Sequence, residues 1–400
     1  MGQRPWWARV KTVRRPRSER SGSAALARSV PQILVIFGSY APSLIAFRGD
    51  LIADAVARGH QVHALAPDID NATAERLRGL GAVPVEVPLA RTSLNPFGAL
   101  RSYRALRSTI ATIRPDVLMA YTIKPVILGA RAAQDLGVPR FVPMITGLGY
   151  AFLGTKGLRR RLIRETARSL YRQALRQAHV TIFQNPDDRA DFEALGILLP
   201  GATSTVVNGS GIDLDHFRQR RLPERPHFLM ISRLLRDKGI MEFAEASARL
   251  KRERLDVDFS LVGWLDKSPD SISKAELDAI VGAGVSFLGK LEDVRPALAA
   301  CSVYVLPSYR EGRPRSVLEA MAVGRAIITT DAPGCRETVV EGDNGLLVRP
   351  RDANDLYDAM VTLADDHELR TRMAKASRRL AEAQYDVHQV NRSILEAAGL

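Results

Sequence analysis

CSVYVLPSYREGRPRSVLEAMAVGRAIITT, residues 301–330, reads as strand, loop, helix and strand in succession. Its two β-rich apolar runs, 303–306 and 326–329, enclose a helix-length pattern, as in parallel strands joined by a crossover helix. Pro314 marks the first helical position, where its missing N–H costs nothing. Glu311 then lies in the loop and Glu319 inside the helix, roughly 7 Å along its axis at ~1.5 Å per residue.

The same alternation runs outward in both directions. Apolar runs at 33–37, 62–66, 83–87, 117–121, 141–145 and 180–184 form one series, and runs at 228–232, 257–262, 285–288, 303–306, 326–329 and 346–348 form a second. Between them, 199–228 is irregular and rich in glycine, proline and charge, which places a domain boundary there. The expected fold is α/β, with two Rossmann-like parallel-sheet domains facing across a cleft. Ligands bind outside the carboxyl ends of strands in such sheets, so the chemistry is sought there.

A chain of 400 residues suits two domains of roughly 150–200 each. With 46% hydrophobic and 25% charged residues it is globular in composition, and the apolar run at 33–37 falls far short of the ~20 needed to span a membrane. Residues 1–30 hold eight Lys or Arg against one acid, Glu19, and so carry +7 of the net +13. No apolar segment or small-residue cleavage site follows those charges, so they read as a disordered basic arm rather than a secretory signal. Cys301 and Cys335 offer neither a disulfide framework nor a paired metal motif, and a cytosolic setting is the simplest expectation.

A helix N-terminus favours an anion such as phosphate, and Arg313 and Arg315 add positive charge beside this one. Glu311 and Glu319 can accept hydrogen bonds from sugar hydroxyls on either side. Alone, such a pair is ordinarily a loop charge and a solvated helix residue. In FLMISRLLRDKG, however, Arg233 and Lys238 flank a turn at another strand's carboxyl end, before a helix starting near Gly239. A guanidinium fork and a point charge together suit a diphosphate.

These stretches, with SLVGW, FLGKLEDV and VLPSYREGRPRSVLEAMAVGRAIITTDAPGCRETVVEGDNGLLV, resemble the donor half of glycosyltransferase family 4, and the likeness runs from about Ile33 to the C-terminus. The resemblance implies the GT-B fold, a retaining mechanism, a nucleotide-sugar donor, and neither cofactor nor metal. It makes Arg233, Lys238 and Glu311 catalytic. Donor binding falls to these three with Gly289, Gly312, Arg313, Arg315, Ser316 and Glu319. Arg233 and Lys238 would hold the diphosphate, Glu319 the ribose and Glu311 the donor sugar. Many relatives carry Phe-Gly after the first Glu-Gly, where this chain reads Arg313-Pro314-Arg315.

SLIAFRGDLIADAVARGHQVHALAP, RTSLNP, YTIKPVILG and ITGLGYAFLG are similar to bacterial enzymes that extend saccharides on a lipid diphosphate. That branch implies a UDP-activated hexose or N-acetylhexosamine, ahead of GDP-mannose, and a polyprenyl-diphosphate-linked acceptor. Ser39, Tyr121, Thr122, Lys124, Thr146, Gly147 and Gly149 are the acceptor-side candidates, with Tyr121, Thr122 and Lys124 expected in a cleft-facing loop. His60 and His63 read as structural. Three Asp-x-Asp triplets, Asp68/Asp70, Asp213/Asp215 and Asp256/Asp258, are no more than chance supplies, and no metal site is expected.

The segment 157–178 reads as a helix with Arg160, Arg164, Arg168, Arg172 and Arg176 in a stripe. Leu158, Leu162, Ile163, Ala167, Leu170, Ala174 and Leu175 form the face expected to pack inward. With the arm, the stripe suits reversible attachment to an anionic membrane surface from the cytoplasmic side. The domains are then expected as 1–30 arm, 31–217 acceptor domain, 218–383 nucleotide-sugar domain and 384–400 a helix crossing back to the acceptor domain.

Three other classes share some of these features. A nucleic-acid binder would also be basic, but no recognition module or zinc spacing is present, so no nucleic-acid partner is expected. A glycoside hydrolase uses two carboxylates without needing Arg233 and Lys238. A nucleotide-sugar epimerase on the same two-domain fold stays open, because function lives in the site.

Overall fold

The computed structural model describes residues 30–89, 96–147, 158–266 and 268–400. The basic arm up to residue 29, the stretch 90–95, Gly149 and the Arg160 side chain lie outside the described residues. Pro31–Leu400 forms one compact unit.

That unit contains two wholly parallel sheets. The first has seven strands, β1 (Ile33–Phe37), β2 (Gln61–Ala66), β3 (Val83–Glu86), β4 (Val117–Tyr121), β5 (Arg140–Ile145), β6 (Thr181–Phe183) and β7 (Ser204–Val206). The second has six, β8 (His227–Ile231), β9 (Asp258–Val262), β10 (Ser286–Phe287), β11 (Val303–Leu306), β12 (Ala326–Thr330) and β13 (Gly345–Val348). Their spatial orders are β3-β2-β1-β4-β5-β6-β7 and β10-β9-β8-β11-β12-β13. The strand order reverses between β1 and β4 and again between β8 and β11, the points where doubly wound sheets open a ligand crevice.

Helices cover both faces of each sheet, which is why β1, β4, β11 and β12 are continuous apolar runs rather than alternating ones. On one face of the first sheet Leu34, Ile36 and Met119 pack with Val390, Ile394 and Leu395 of the last helix, Val387–Ala398. On the other face Val35, Phe37 and Leu118 meet Val126 and Ala130 of the helix Ile123–Leu136 and Tyr171 and Ala174 of the helix Leu158–Leu175. A single core fills the second lobe around Phe228, Phe259, Tyr304 and Met321. The two chain crossings between lobes lie side by side: Ile212 donates to the Tyr385 carbonyl at 2.7 Å and Val387 donates back to Ile212 at 3.1 Å.

Three expectations need correcting. β7 lies inside the segment read as irregular; it is a half-buried three-residue edge strand with a serine and a threonine, too short and polar to stand out. Pro314 caps the helix Arg315–Val323 from one position before its first residue. On the helix Leu158–Leu175, Leu162 and Leu170 are exposed, and Tyr171 takes the inward place because it fills the space against Phe192, their rings 5.4 Å apart. No helix among the described residues is long and apolar enough to cross a membrane.

Candidate active site

The crevice of the second sheet is spanned by a partly buried ion pair. Lys238 follows β8 and closes a short 3-10 turn, Arg236–Lys238; Glu311 follows β11. The Lys238 ammonium donates to Glu311 Oε1 at 2.7 Å, and the Ser308 hydroxyl donates to the same oxygen at 2.8 Å. Gly239 makes the approach possible: its φ is +73°, and a Cβ there would collide with the Pro307 carbonyl. Burial alone would lower the Lys238 pKa, but Glu311 and Asp237 together hold it above the ordinary lysine value. The ammonium is thus kept charged in a partly buried setting, where a charge is felt more strongly than in bulk water.

Two further pairs stand beside it. Arg233 is partly exposed and donates to Asp266 Oδ2 at 3.2 Å. Arg315 donates to Glu319 Oε1 at 3.1 Å across one helical turn, and its other end reaches the Ala46 carbonyl of the first lobe. Burial raises the Glu319 carboxyl above its usual range, and Arg315 opposes that shift. Tyr304 is buried nearby, and its hydroxyl donates to the Ile231 carbonyl at 3.0 Å. Gly289, with φ +69°, lies at the start of the loop after β10, and its carbonyl accepts from Gly263 N–H at 2.9 Å. Arg313, expected beside a diphosphate, instead donates to the Gln184 carbonyl at 2.9 and 3.2 Å and stands near the Tyr385 hydroxyl. Its charge fastens one lobe to the other.

The crevice of the first sheet is built from hydroxyls. Tyr121 is buried, not in a loop; its hydroxyl shares a 2.8 Å hydrogen bond with Ser43, and its ring lies under the Arg48 guanidinium at 5.0 Å. Gly38 leaves room for that ring, because any Cβ there would strike it. Thr122 donates to Ser39 Oγ at 2.9 Å and holds φ +68°, a costly conformation for a β-branched residue. The helix Ile123–Leu136 begins at once, so Lys124 sits in its first turn rather than in a loop; burial lowers its pKa. Arg48 is almost fully buried, and desolvation pulls its guanidinium down to about 10.

The carboxyl edges of the two sheets touch. A Cβ on Gly312 would collide with the Thr146 carbonyl and with Gln184, and a Cβ on Gly147 would stand in van der Waals contact with the Gly312 backbone. Thr146 and Gly147, assigned to the acceptor side, thus abut the loop that carries Glu311. Sequence reasoning missed Ser308, Ser43, Arg48 and the Asn185–Asp188 segment. The last carried a readable signal, an Asn cap followed by proline at a strand's end. The Asp-x-Asp residues have structural roles: Asp70 caps the helix Asn71–Gly79, Asp213 accepts from Asp215 and His216 N–H, and Asp256 and Asp258 pair with Arg254 and Arg225. No group of three or more metal-binding side chains occurs among the described residues.

Two Rossmann-like lobes with facing carboxyl edges are the architecture of GT-B glycosyltransferases. Residues 225–366 match the family described as glycosyl transferases group 1, and residues 46–209 match the glycosyl transferase 4-like domain. The chain is 32% identical over 358 residues to the N,N'-diacetylbacillosaminyl-diphospho-undecaprenol alpha-1,3-N-acetylgalactosaminyltransferase of Campylobacter jejuni, covering 86% of this chain and 92% of that one. It is 26% identical to the UDP-Gal:alpha-D-GlcNAc-diphosphoundecaprenol alpha-1,3-galactosyltransferase of Escherichia coli, over 71% of this chain and 75% of that one. The fold superposes on sucrose-phosphate synthase from Thermosynechococcus elongatus with a TM-score of 0.77 at 19% identity, covering 91% of this chain and 98% of that one. HepE of Anabaena in complex with UDP-glucose superposes with a TM-score of 0.73 at 19% identity, over 92% and 99%. This chain belongs to that glycosyltransferase family, in the branch whose relatives act on lipid-linked oligosaccharides.

Proposed function

We propose that the protein moves a hexose or N-acetylhexosamine from a UDP-sugar to a saccharide carried on a polyprenyl diphosphate, with retention of anomeric configuration. The observation that carries this reading is the Lys238–Glu311 pair across the crevice of the second sheet, flanked by Arg233 and Glu319. The acceptor class follows the C. jejuni and E. coli relatives, whose names specify diphospho-undecaprenol sugars.

In this account the diphosphate draws Arg233 from Asp266 and takes up the Lys238 charge, while Glu311, released from Lys238, holds the hydroxyls of the donor sugar. Glu319 takes the ribose hydroxyls. As the bond from the anomeric carbon to the diphosphate breaks, the acceptor hydroxyl attacks from the face the diphosphate leaves and gives its proton to the departing diphosphate oxygen. Fixed cations aimed at the developing charge lower the barrier, and the closed cleft supplies orientation. The scheme uses no metal or cofactor, so excess EDTA leaves the rate unchanged; a rate restored only by added divalent cation contradicts it. Proton NMR of the product tests retention, since inverted configuration rules the mechanism out.

The outer face of the helix Leu158–Leu175 shows Leu162 and Leu170 among Arg161 and Arg172, with Arg176 just beyond its end. Basic and apolar side chains on one exposed face suit an anionic leaflet, each arginine contributing about 1 kcal/mol near its surface. The reading therefore includes peripheral attachment on the cytoplasmic side, where its acceptor would reside. Co-sedimentation with vesicles that rises with their anionic lipid content supports it, and indifference to that content refutes it.

A further inference from the structure

The densest buried charge outside the groups above joins the lobes. Asn185 follows β6 and caps the helix Pro186–Ala194, its side-chain oxygen accepting from Asp188 N–H at 2.7 Å. Capping alone needs no more than that oxygen. Yet the Asn185 amide nitrogen also donates across the lobes to the Gly312 carbonyl at 2.7 Å, and to Asp188 Oδ2 at 2.9 Å. Asp188 is fully buried, and its other oxygen accepts from Arg310, which also donates to Asp191 at 2.6 Å. Arg336 of the second lobe pairs with Asp187.

Arg310, Glu311 and Gly312 are consecutive, so one helix end of the first lobe grips the loop on both sides of Glu311. A buried ion pair of this kind adds little net stability but is strict about geometry, because breaking it leaves a bare charge in a dry place. Arg233 and Glu319, by contrast, draw their side-chain partners Asp266 and Arg315 from the second lobe itself.

We propose that Asn185 and Asp188 are positioning residues that set Glu311 for transfer when the lobes come together, so that closing the cleft and orienting the donor-sugar carboxylate are one event. The inference rests on the donor-site reading above. Nucleotide binding then needs the second lobe alone, whereas turnover needs the first lobe's grip on residues 310–312.

The test uses the full chain, with Asp188→Asn, Asn185→Ala and Arg310→Lys. Hydrogen exchange of the 308–316 segment, calorimetric titration with UDP, and steady-state transfer from the UDP-sugar donor are measured on each. In Asp188→Asn and Asn185→Ala, exchange at 308–316 rises and kcat falls roughly 10- to 100-fold, while the UDP Kd and the donor KM stay within about threefold. Arg310→Lys, which keeps the charge, loses less turnover than either of the other two. Wild-type exchange at 308–316 in both variants overturns the inference, as does a fall in UDP affinity that matches the fall in kcat. Should the wild-type chain bind no UDP, the donor reading fails, and exchange at 308–316 still decides whether the grip exists.

Discussion

The two crevices occupy equivalent places in two similar sheets and are furnished in opposite ways. Between β8 and β11 stand charges in pairs, Lys238 with Glu311, Arg233 with Asp266 and Arg315 with Glu319. Between β1 and β4 stand hydroxyls bonded to one another, Ser43 with Tyr121 and Ser39 with Thr122. A doubly wound sheet fixes where a ligand sits, and the residues at the switch point decide its chemistry. On the proposed function the charged crevice takes the diphosphate and its sugar, and the hydroxyl-lined one, with Arg48 and Lys124 beside it, takes a hydroxyl-rich acceptor.

The largest effect expected from this contrast comes from Lys238→Ala, which removes the partly buried cation and leaves Glu311 without it. Turnover should drop roughly 10²- to 10³-fold, the loss typical of one preorganised electrostatic group. A variant within about threefold of wild type breaks the contrast. Next comes Glu319→Ala: losing a charged hydrogen bond to the ribose should weaken UDP binding about 10- to 100-fold in a calorimetric titration. A loss confined to the acceptor KM would instead place Glu319 in the other crevice.

On the hydroxyl-lined side, Tyr121→Phe deletes one hydroxyl and leaves Ser43 its bond to the Tyr40 carbonyl. About 1 kcal/mol is at stake, seen as a severalfold rise in acceptor KM with UDP affinity unchanged. A change in UDP affinity would blur the division between crevices. The smallest effect concerns His388, on the last helix, 3.2 Å from Asp54 of the first lobe. Burial lowers its pKa, but Asp54 raises it more, so the folded value lies above 6.5. Its contribution is full below pH 6.5 and is lost as pH rises through the folded pKa. The side chain is 69% exposed, so screening keeps this under about 0.5 kcal/mol, and His388→Gln should flatten that part of the stability profile in denaturant melts.

The charged crevice was legible in the sequence because Arg233, Lys238, Glu311 and Glu319 sit at fixed distances from strand ends, and charge at a strand end is conspicuous. The central strands showed for a related reason: buried on both faces, β1, β4 and β11 are unbroken apolar runs. β7 did not, because Ser204–Val206 is a half-buried edge. Arg313 and Arg315 were legible only as cations at a helix start, since a sequence does not show the Gln184 and Ala46 carbonyls that they meet across the cleft. Tyr121 and Lys124 were given to a loop that Thr122 eliminates by turning directly into a helix through a positive φ. The grip of Asn185 and Asp188 on residues 310–312 joins positions more than a hundred residues apart, which no local pattern reports.

The most direct test of the central claim is a calorimetric titration of the full chain with UDP, repeated on Arg233→Ala. The account predicts one site per chain in the wild type and at least tenfold weaker binding in the variant, the worth of about 1.4 kcal/mol. Equal affinity in the two proteins, or no binding by the wild type, would contradict a donor site at the edge of the second sheet.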